Sequence, residues 1–455
     1  MRVRRLLAVF ALSGALFTGF SPLAPAWSDN LYDALRNAYR NNPDLNADRQ
    51  RQRVTDELVP AAKSGWRPTI TAQGSVTQTW SDTNVSSSED NLSKNLNIQL
   101  SQPIFRGFKT VEGVKSAKAS VEAGRQALLG TEQSVLFNAV RAYMSVVRDR
   151  QILGVRQKNV SNLKRQAQAA SARFEVGEVT RTDVSQAKAR VSGADANAAV
   201  AKSNLESSIA NYVAVIGKKP GTLNPAKTAK VPKSLERALS TANETNPNIL
   251  AAAFVFDAAG HDIEVAKGDL LPQIDLQASA SVTDDPSEGV NSSESASIQG
   301  VITVPIYQGG REYSNVRRAK QLASQRQIEI ISATRSVREQ VTASWYALNA
   351  SGQSIVSATA QVAAAALALD GINQEYQVGS RTTIDVLNAE QELLSARIGQ
   401  ITAEHDRVVV SYQLLAAIGH LTARHIGLGG EFYDPEENYN AVKGRWFGLD
   451  AEPVQ

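Results

Sequence analysis

The chain is written twice, and that duplication limits the folds open to it more than any other feature. The stretch FEVGEVTRTDV (Phe174–Val184) returns as YQVGSRTTIDV (Tyr376–Val386), 202 positions later. LYDALRNAYRNNPDL returns as LERALSTANETNPNI, with Leu31 answering Leu235 and Pro43 answering Pro247, 204 positions apart. Trp66-Arg67-Pro68 matches Leu270-Leu271-Pro272 at the same spacing. QPIFRG (Gln102–Gly107) matches VPIYQG (Val304–Gly309) at 202, as do Ile216-Gly217 and Ile418-Gly419. Each half is therefore one copy of a unit of about 200 residues, 27–230 and 231–426. The spacing changes between Pro68 and Pro103.

That segment has the period of a strand. Ile70, Ala72, Val76 and Trp80 are apolar, while Thr69, Thr71, Gln73, Ser75, Thr77 and Thr79 between them are polar. After a loop rich in Ser, Asp and Asn, Leu96, Ile98 and Leu100 resume the alternation against Asn95, Asn97 and Gln99. The second half repeats it with Ile274, Leu276, Ala278, Ala280 and Val282, then Ile298, Gly300, Ile302 and Val304. Each half thus carries one long hairpin, at about 65–106 and about 270–309, with an apolar and a polar face. Long alternating strands joined by polar loops fit a transmembrane β-barrel with a wet interior.

The rest reads as helix. Residues 107–175 and 310–375 are almost free of proline, long enough for helices of about 100 Å. Each is followed by a tip, 174–184 or 376–386, and a shorter helix to 217 or 419. Gly177 and Gly379 suit the left-handed turn that closes a helix. Thr180, Thr182 and Asp183 in one copy, and Thr382 and Asp385 in the other, suit the start of the next helix. A heptad seam, Val114, Val121, Leu128, Val135 and Ala142, keeps its frame at Val316, Ala323, Ile330, Val337 and Ser344. Each half also opens with a helical pattern of about 35 residues, Asp29 to Ser64 in the first, and this leading helix and the one after the tip, laid end to end, match one long helix. Residues 427–455 show no periodicity and are expected to be disordered or draped on the exterior.

Composition adds the compartment. Arg2, Arg4 and Arg5 precede an apolar run from Leu6 to about Phe20 and the segment Ala24-Pro25-Ala26, so residues 1–26 read as a signal peptide. No other run of some 18 apolar residues is evident, so no membrane-spanning helix is expected. The formal charge of +3 equals the three arginines of the leader, leaving a balanced chain with no general reason to bind nucleic acid. The chain has no cysteine, which excludes disulfides, thiolate metal sites and an N-terminal lipid anchor.

Four strands cannot close a barrel, which takes at least about eight. An open edge in lipid would leave backbone groups unpaired. The chain must therefore associate, as a dimer of eight strands or a trimer of twelve, with the helices carrying a conduit away from the membrane.

The chain resembles the TolC family of outer-membrane efflux and type I secretion channel proteins, non-lipidated type, across essentially all of the mature sequence. The resemblance rests on the NPDL/NPNI openings, the QPIFRG/VPIYQG strand exits and the paired VGxxTxxDV-type tips. It implies a mainly α fold with transmembrane β: a homotrimer with a twelve-stranded barrel, four strands per chain, continued by a periplasmic α-helical coiled-coil tunnel. It further implies an outer-membrane duct for small-molecule efflux or type I protein secretion. Its partners would be outer-membrane lipid, an inner-membrane transporter of RND or ABC type and a periplasmic adaptor, with no cofactor, metal or catalysis. In that family the tips close the tunnel. Matched by motif, Thr182 and Asp183 fall at gate positions, and Tyr376 and Arg381 match the Tyr and Arg that bond to them. Arg397 resembles a further closing Arg, and Asp385 an acid ringing the entrance. The second acid of that ring is replaced by Asn388.

Two other readings compete. An enzyme would need a constellation that the four histidines (His261, His405, His420, His425) do not form, and no GxSxG, HExxH or phosphate loop occurs. A soluble periplasmic coiled-coil adaptor or scaffold would share the heptads but not the two amphipathic strand hairpins joined to helices at Pro103 and Pro305.

Overall fold

A computed structural model describes residues 30–83, 86–287 and 290–451; the leader, 1–26, lies outside the described residues. Helices α1 (Leu31–Asn41), α2 (Pro43–Asp56) and α3 (Leu58–Lys63) lead through a 3-10 turn into strands β1 (Thr69–Thr83) and β2 (Ser86–Arg106). Helices α4 (Lys109–Glu175) and α5 (Arg181–Ile216) complete the first half. The second half runs α6 (Leu235–Thr245), α7 (Pro247–Gly268), β3 (Gln273–Ser287), β4 (Val290–Thr303), α8 (Arg311–Gln377) and α9 (Thr383–Ala417). A short helix α10 (Pro435–Val442) follows.

The leading helix of each half is broken, and the Asn-Pro pair breaks it. Asn42 caps α2 by accepting the N–H groups of Asp44 and Leu45 at 3.0 and 3.2 Å, with Pro43 at the first helical position. Its amide nitrogen donates to the carbonyl of Val215 at 3.2 Å. Asn246 repeats both moves: it accepts from the N–H of Asn248 at 2.9 Å and donates to the carbonyl of Ala417 at 2.8 Å. Each Asn therefore ends one helix, starts the next and fastens both to the end of the short helix after the tip. Gly419 sits in that junction at φ +86°, where a Cβ would fall 2.4 Å from the Thr245 carbonyl oxygen, so no side chain fits.

The four strands form one antiparallel sheet in the order β1-β2-β3-β4, with β1 and β4 at its edges. Register aligns like with like: Thr71, Gln99, Ser279 and Ser297 lie in one row, and Ala72, Ile98, Ala280 and Ala296 in the next. The polar face bonds to itself. Ser279 meets Ser297 at 2.9 Å, Ser281 meets Ser295 at 2.8 Å, and Gln299 donates to Gln277 at 3.0 Å. The other face leaves Ile70, Leu96, Ile98, Ile298 and Ile302 exposed. β2 starts at Ser86, so the polar stretch expected to be a loop is mostly strand, paired to β1 through Gln78↔Leu92 and Thr77↔Ser93. A ladder is made by main chain, and polar side chains do not oppose it where both faces are wet. The hairpins also exit differently. QPIFRG stays in β2 to Arg106, whereas β4 stops at Thr303 and Ile306 and Tyr307 stand 91% and 76% exposed.

Helix α4 is the shaft of the chain, packed against α2, α5, α7 and α9. Its seam residues Val114, Val121, Leu128, Val135 and Ala142 are all buried. The largest core gathers where α1, α4, α5, α6 and the end of α9 meet, around Leu35, Leu136, Tyr143, Tyr212, Leu414 and Ile418. In α8 the seam is thinner: Ala323, Val337 and Ser344 are buried, Val316 and Ile330 only partly. Helix α8 comes nearest to a further apolar run, although Ser, Gln and Thr interrupt it. It contains an 18-residue window of mean hydropathy 1.6, apolar enough by length and composition to cross a membrane, of which 6% is buried. Alanine supplies it, as in Ala363–Ala366, and alanines scattered among Ser, Gln and Thr do not stand out as a run of large apolar side chains.

Residues 427–451 differ from a disordered tail. The Arg49 guanidinium lies 4.6 Å from the Tyr39 ring and 5.4 Å from the Tyr433 ring, while Tyr433 N–H donates to the Tyr39 hydroxyl at 3.0 Å. Asn438 donates to Asp56 at 2.8 Å, and Tyr439 packs near Val59 and Val121. An eight-residue helix is too short to show a period, but its Tyr439, with Phe432 and Tyr433 just before it, fastens the segment to α1–α4.

Candidate functional site: the hairpin tips

The two tips are built alike. At the end of α4 the N–H of Gly177 (φ +80°) donates to the Phe174 carbonyl at 3.0 Å, and Glu178 N–H to Arg173 at 2.9 Å. At the end of α8 Gly379 (φ +80°) and Ser380 repeat this on Tyr376 and Glu375, at 3.1 and 2.9 Å. Each following helix opens with a capping box. Thr180 N–H and hydroxyl donate to Asp183 at 3.0 and 2.7 Å, and Asp183 N–H returns to the Thr180 hydroxyl at 3.2 Å. Thr382 and Asp385 do the same at 2.9, 2.7 and 3.4 Å. The backbone and hydroxyl of Thr382 hold the Asp385 carboxyl below the usual aspartate range.

Within the single chain the charged and aromatic residues of the tips make the following bonds. Arg381 donates to Glu375 of its own tip at 2.6 Å, which holds its guanidinium still more firmly in the charged form. Within one chain it does not bond to Asp183. Tyr376 meets Thr383 at 3.3 Å, and its ring lies 4.8 Å beneath the Arg173 guanidinium of the first hairpin. Thr182 is exposed at the start of α5, and Arg397 is exposed on α9. The structure thus brings Tyr376 to the first tip through Arg173 and assigns Asp183 and Asp385 to their own caps.

Above the tips the hairpins are joined by residues that motif reasoning passed over. Arg190 of α5 donates to Asn388 of α9 at 3.0 Å, so the Asn replacing an acid is a bonded partner. Gln166 of α4 donates to Glu390 of α9 at 2.6 Å. Leu163, Ala194 and Leu387 pack beside this bond. Glu390 lies on the stripe of Leu387 and Leu394, at helical spacings of three and four, and burial pushes its carboxyl above the usual glutamate range. An acid on an apolar stripe was the signal available in the sequence.

Comparison with known proteins agrees with this architecture. The family model described as "Outer membrane efflux protein" matches residues 34–218 and again 238–420. The chain is 40% identical to the outer membrane efflux protein BepC of Brucella suis, over 97% of this chain and 96% of that protein. It is 28% identical to the outer membrane protein TolC of Escherichia coli, over 93% and 88%. The fold superposes on the CmeC outer membrane channel of Campylobacter jejuni with a TM-score of 0.79 at 16% identity, covering 97% and 98% of the two chains. A sheet with one bare apolar face, helices of 67 residues and two capped tips thus coincide with matches along nearly the whole length, and the chain belongs to the outer membrane efflux protein family.

Proposed function

We infer that this protein is the outer-membrane exit duct of a transenvelope export system, working as a homotrimer with an inner-membrane transporter of RND or ABC type and a periplasmic adaptor. The observation that carries the trimer is the sheet: four strands, an apolar outer face, and edge strands β1 and β4 that require partners in lipid. Three copies close twelve strands, and three sets of long helices continue the barrel into the periplasm. The duct does no chemistry; an energised transporter supplies the work. Cargo is small molecules, secreted protein or both, as in the relatives, whose names span efflux (BepC) and alkaline protease secretion (AprF of Pseudomonas aeruginosa).

The tips are the gate. Asp183 and Thr182 of one subunit face Arg381 of the next, with Tyr376, Asp385 and Arg397 completing the closure. Support comes from what each residue leaves unused. Arg381 and Glu375 form a half-exposed surface pair, of a kind that contributes little, and Thr182 is exposed.

Two measurements test this. Light scattering of the outer-membrane particle in mild detergent should give the mass of three chains; a monomer in the soluble periplasmic fraction would return the long helices to an adaptor. In planar bilayers the Tyr376→Phe, Arg381→Ser double variant should raise basal conductance severalfold. Unchanged conductance would sink the gate assignment alone.

A further inference from the structure

The bond between Gln166 and Glu390 is half of a bond pair. The Gln166 amide nitrogen donates to one carboxyl oxygen of Glu390 at 2.6 Å. The other carboxyl oxygen and the amide oxygen of Gln166 are both buried and have no hydrogen-bond partner. An ionised carboxylate offers only acceptors, so it cannot satisfy an amide oxygen beside it. One proton on the free carboxyl oxygen turns that acceptor into a donor. The side-by-side acid and amide then close a two-bond ring, and both orphaned oxygens are satisfied by the same proton.

We propose that Gln166 and Glu390 form a proton-completed latch that ties the first hairpin to the second just above the tips and sets how firmly the entrance stays shut. The proposal rests on the reading of the tips as a gate. The pair joins α4 to α9, which pack directly on each other, at a level where Leu163, Ala194 and Leu387 are buried. It borders a groove of about 440 Å³ between α4, α5 and α9.

The groups around Glu390 leave it to respond on its own. On α4, Arg165 acts through space but donates to Asn162 at 2.7 Å, and Arg156 and Asn159 line the groove. On α5, Arg190 is spent on Asn388, and Gln186 is neutral. On α9 itself, Asn388 and Gln391 are neutral. Among the described residues no cation bonds to the carboxyl directly, and Arg165 only partly offsets the effect of burial. The four histidines lie at 261, 405, 420 and 425, none in either tip, and the capping acid Asp385 titrates lower than usual. Burial raises the Glu390 pKa in the closed form relative to an opened, solvated one. The latch contribution is therefore complete below the ordinary glutamate pKa and is lost as pH rises through the raised one.

The test compares the full-length protein with Glu390→Gln, whose amide supplies the second donor without a proton, and with Glu390→Ala, which supplies none. Hydrogen-exchange protection of residues 383–394 in detergent should rise about three- to tenfold as pH is lowered from above neutral to below the ordinary glutamate pKa in the wild type. It should be high and flat in Glu390→Gln and low and flat in Glu390→Ala. Basal conductance in bilayers should follow inversely. A Glu390→Gln protein that keeps the wild-type pH response overturns the latch, even if it conducts normally. Absence of current from every variant with the exchange response intact overturns the duct and leaves the latch standing.

Discussion

Helices α4 and α8 have the same length, 67 residues, and the same seam frame, yet twenty-two residues of α4 are buried against seven of α8. The duplication therefore produced two similar rods with different neighbours. α4 is enclosed by its own chain. α8 packs on α7 and α9 and leaves Ile328, Ile331, Tyr346, Val356 and Leu367 exposed. In the proposed trimer the bare face is what a subunit would present to its neighbours, so one copy of the repeat would serve folding and the other assembly.

Substitutions at matched positions can break that contrast. Leu136 is fully buried in the core, while its counterpart 202 positions on, Arg338, is exposed. Leu136→Ala should cost about 2–5 kcal/mol and Arg338→Ala within about 0.5 kcal/mol, read as thermal midpoints in detergent. Equal losses would mean that the two rods are equally enclosed. Next in size is Leu367→Ser, which should remove about 1.5–3 kcal/mol from assembly while leaving the fold of a single chain intact. A trimer-to-monomer titration by light scattering checks it, and an undisturbed trimer would mean that the α8 face stays open.

Two smaller effects sharpen the contrast by finding where the halves remain equal. Asn42→Ala and Asn246→Ala each remove one cap and one tie to the facing helix end, and should each cost about 0.5–2 kcal/mol. A twofold difference in melting shift would show that the junctions have diverged. Smallest is the acid limit of the second tip. The Asp385 carboxyl titrates below its ordinary value, so its cap is fully present above the usual aspartate range and lost only as pH falls through the depressed pKa. Asp385→Asn should shift the tip's exchange protection near neutral pH and have little effect in strong acid.

The parts of this fold legible in the sequence are the local ones. Alternation places the strands, and Gly177 and Gly379 mark the turns, because both depend on a few neighbouring residues. The Asn-Pro phrase was visible twice, but the break it makes was not, since its force comes from bonds to Val215 and Ala417 over 170 residues away. The polar start of β2 read as loop because composition hides a ladder that β1 completes. At the tips, the capping boxes could be read from Thr and Asp at their spacing. The Gln166–Glu390 bond could not, because its partners are 224 positions apart and neither belongs to the repeated motif.

The polar sheet face carries one more consequence. Paired serines and glutamines bond to one another across strands, so part of their hydrogen-bonding capacity is taken up within the wall itself. A molecule moving along such a wall meets mostly neutral side chains partly occupied with one another, with the carboxyl of Asp275 in the same alternation. The last stretch of the route is in this sense a lining that favours passage over retention.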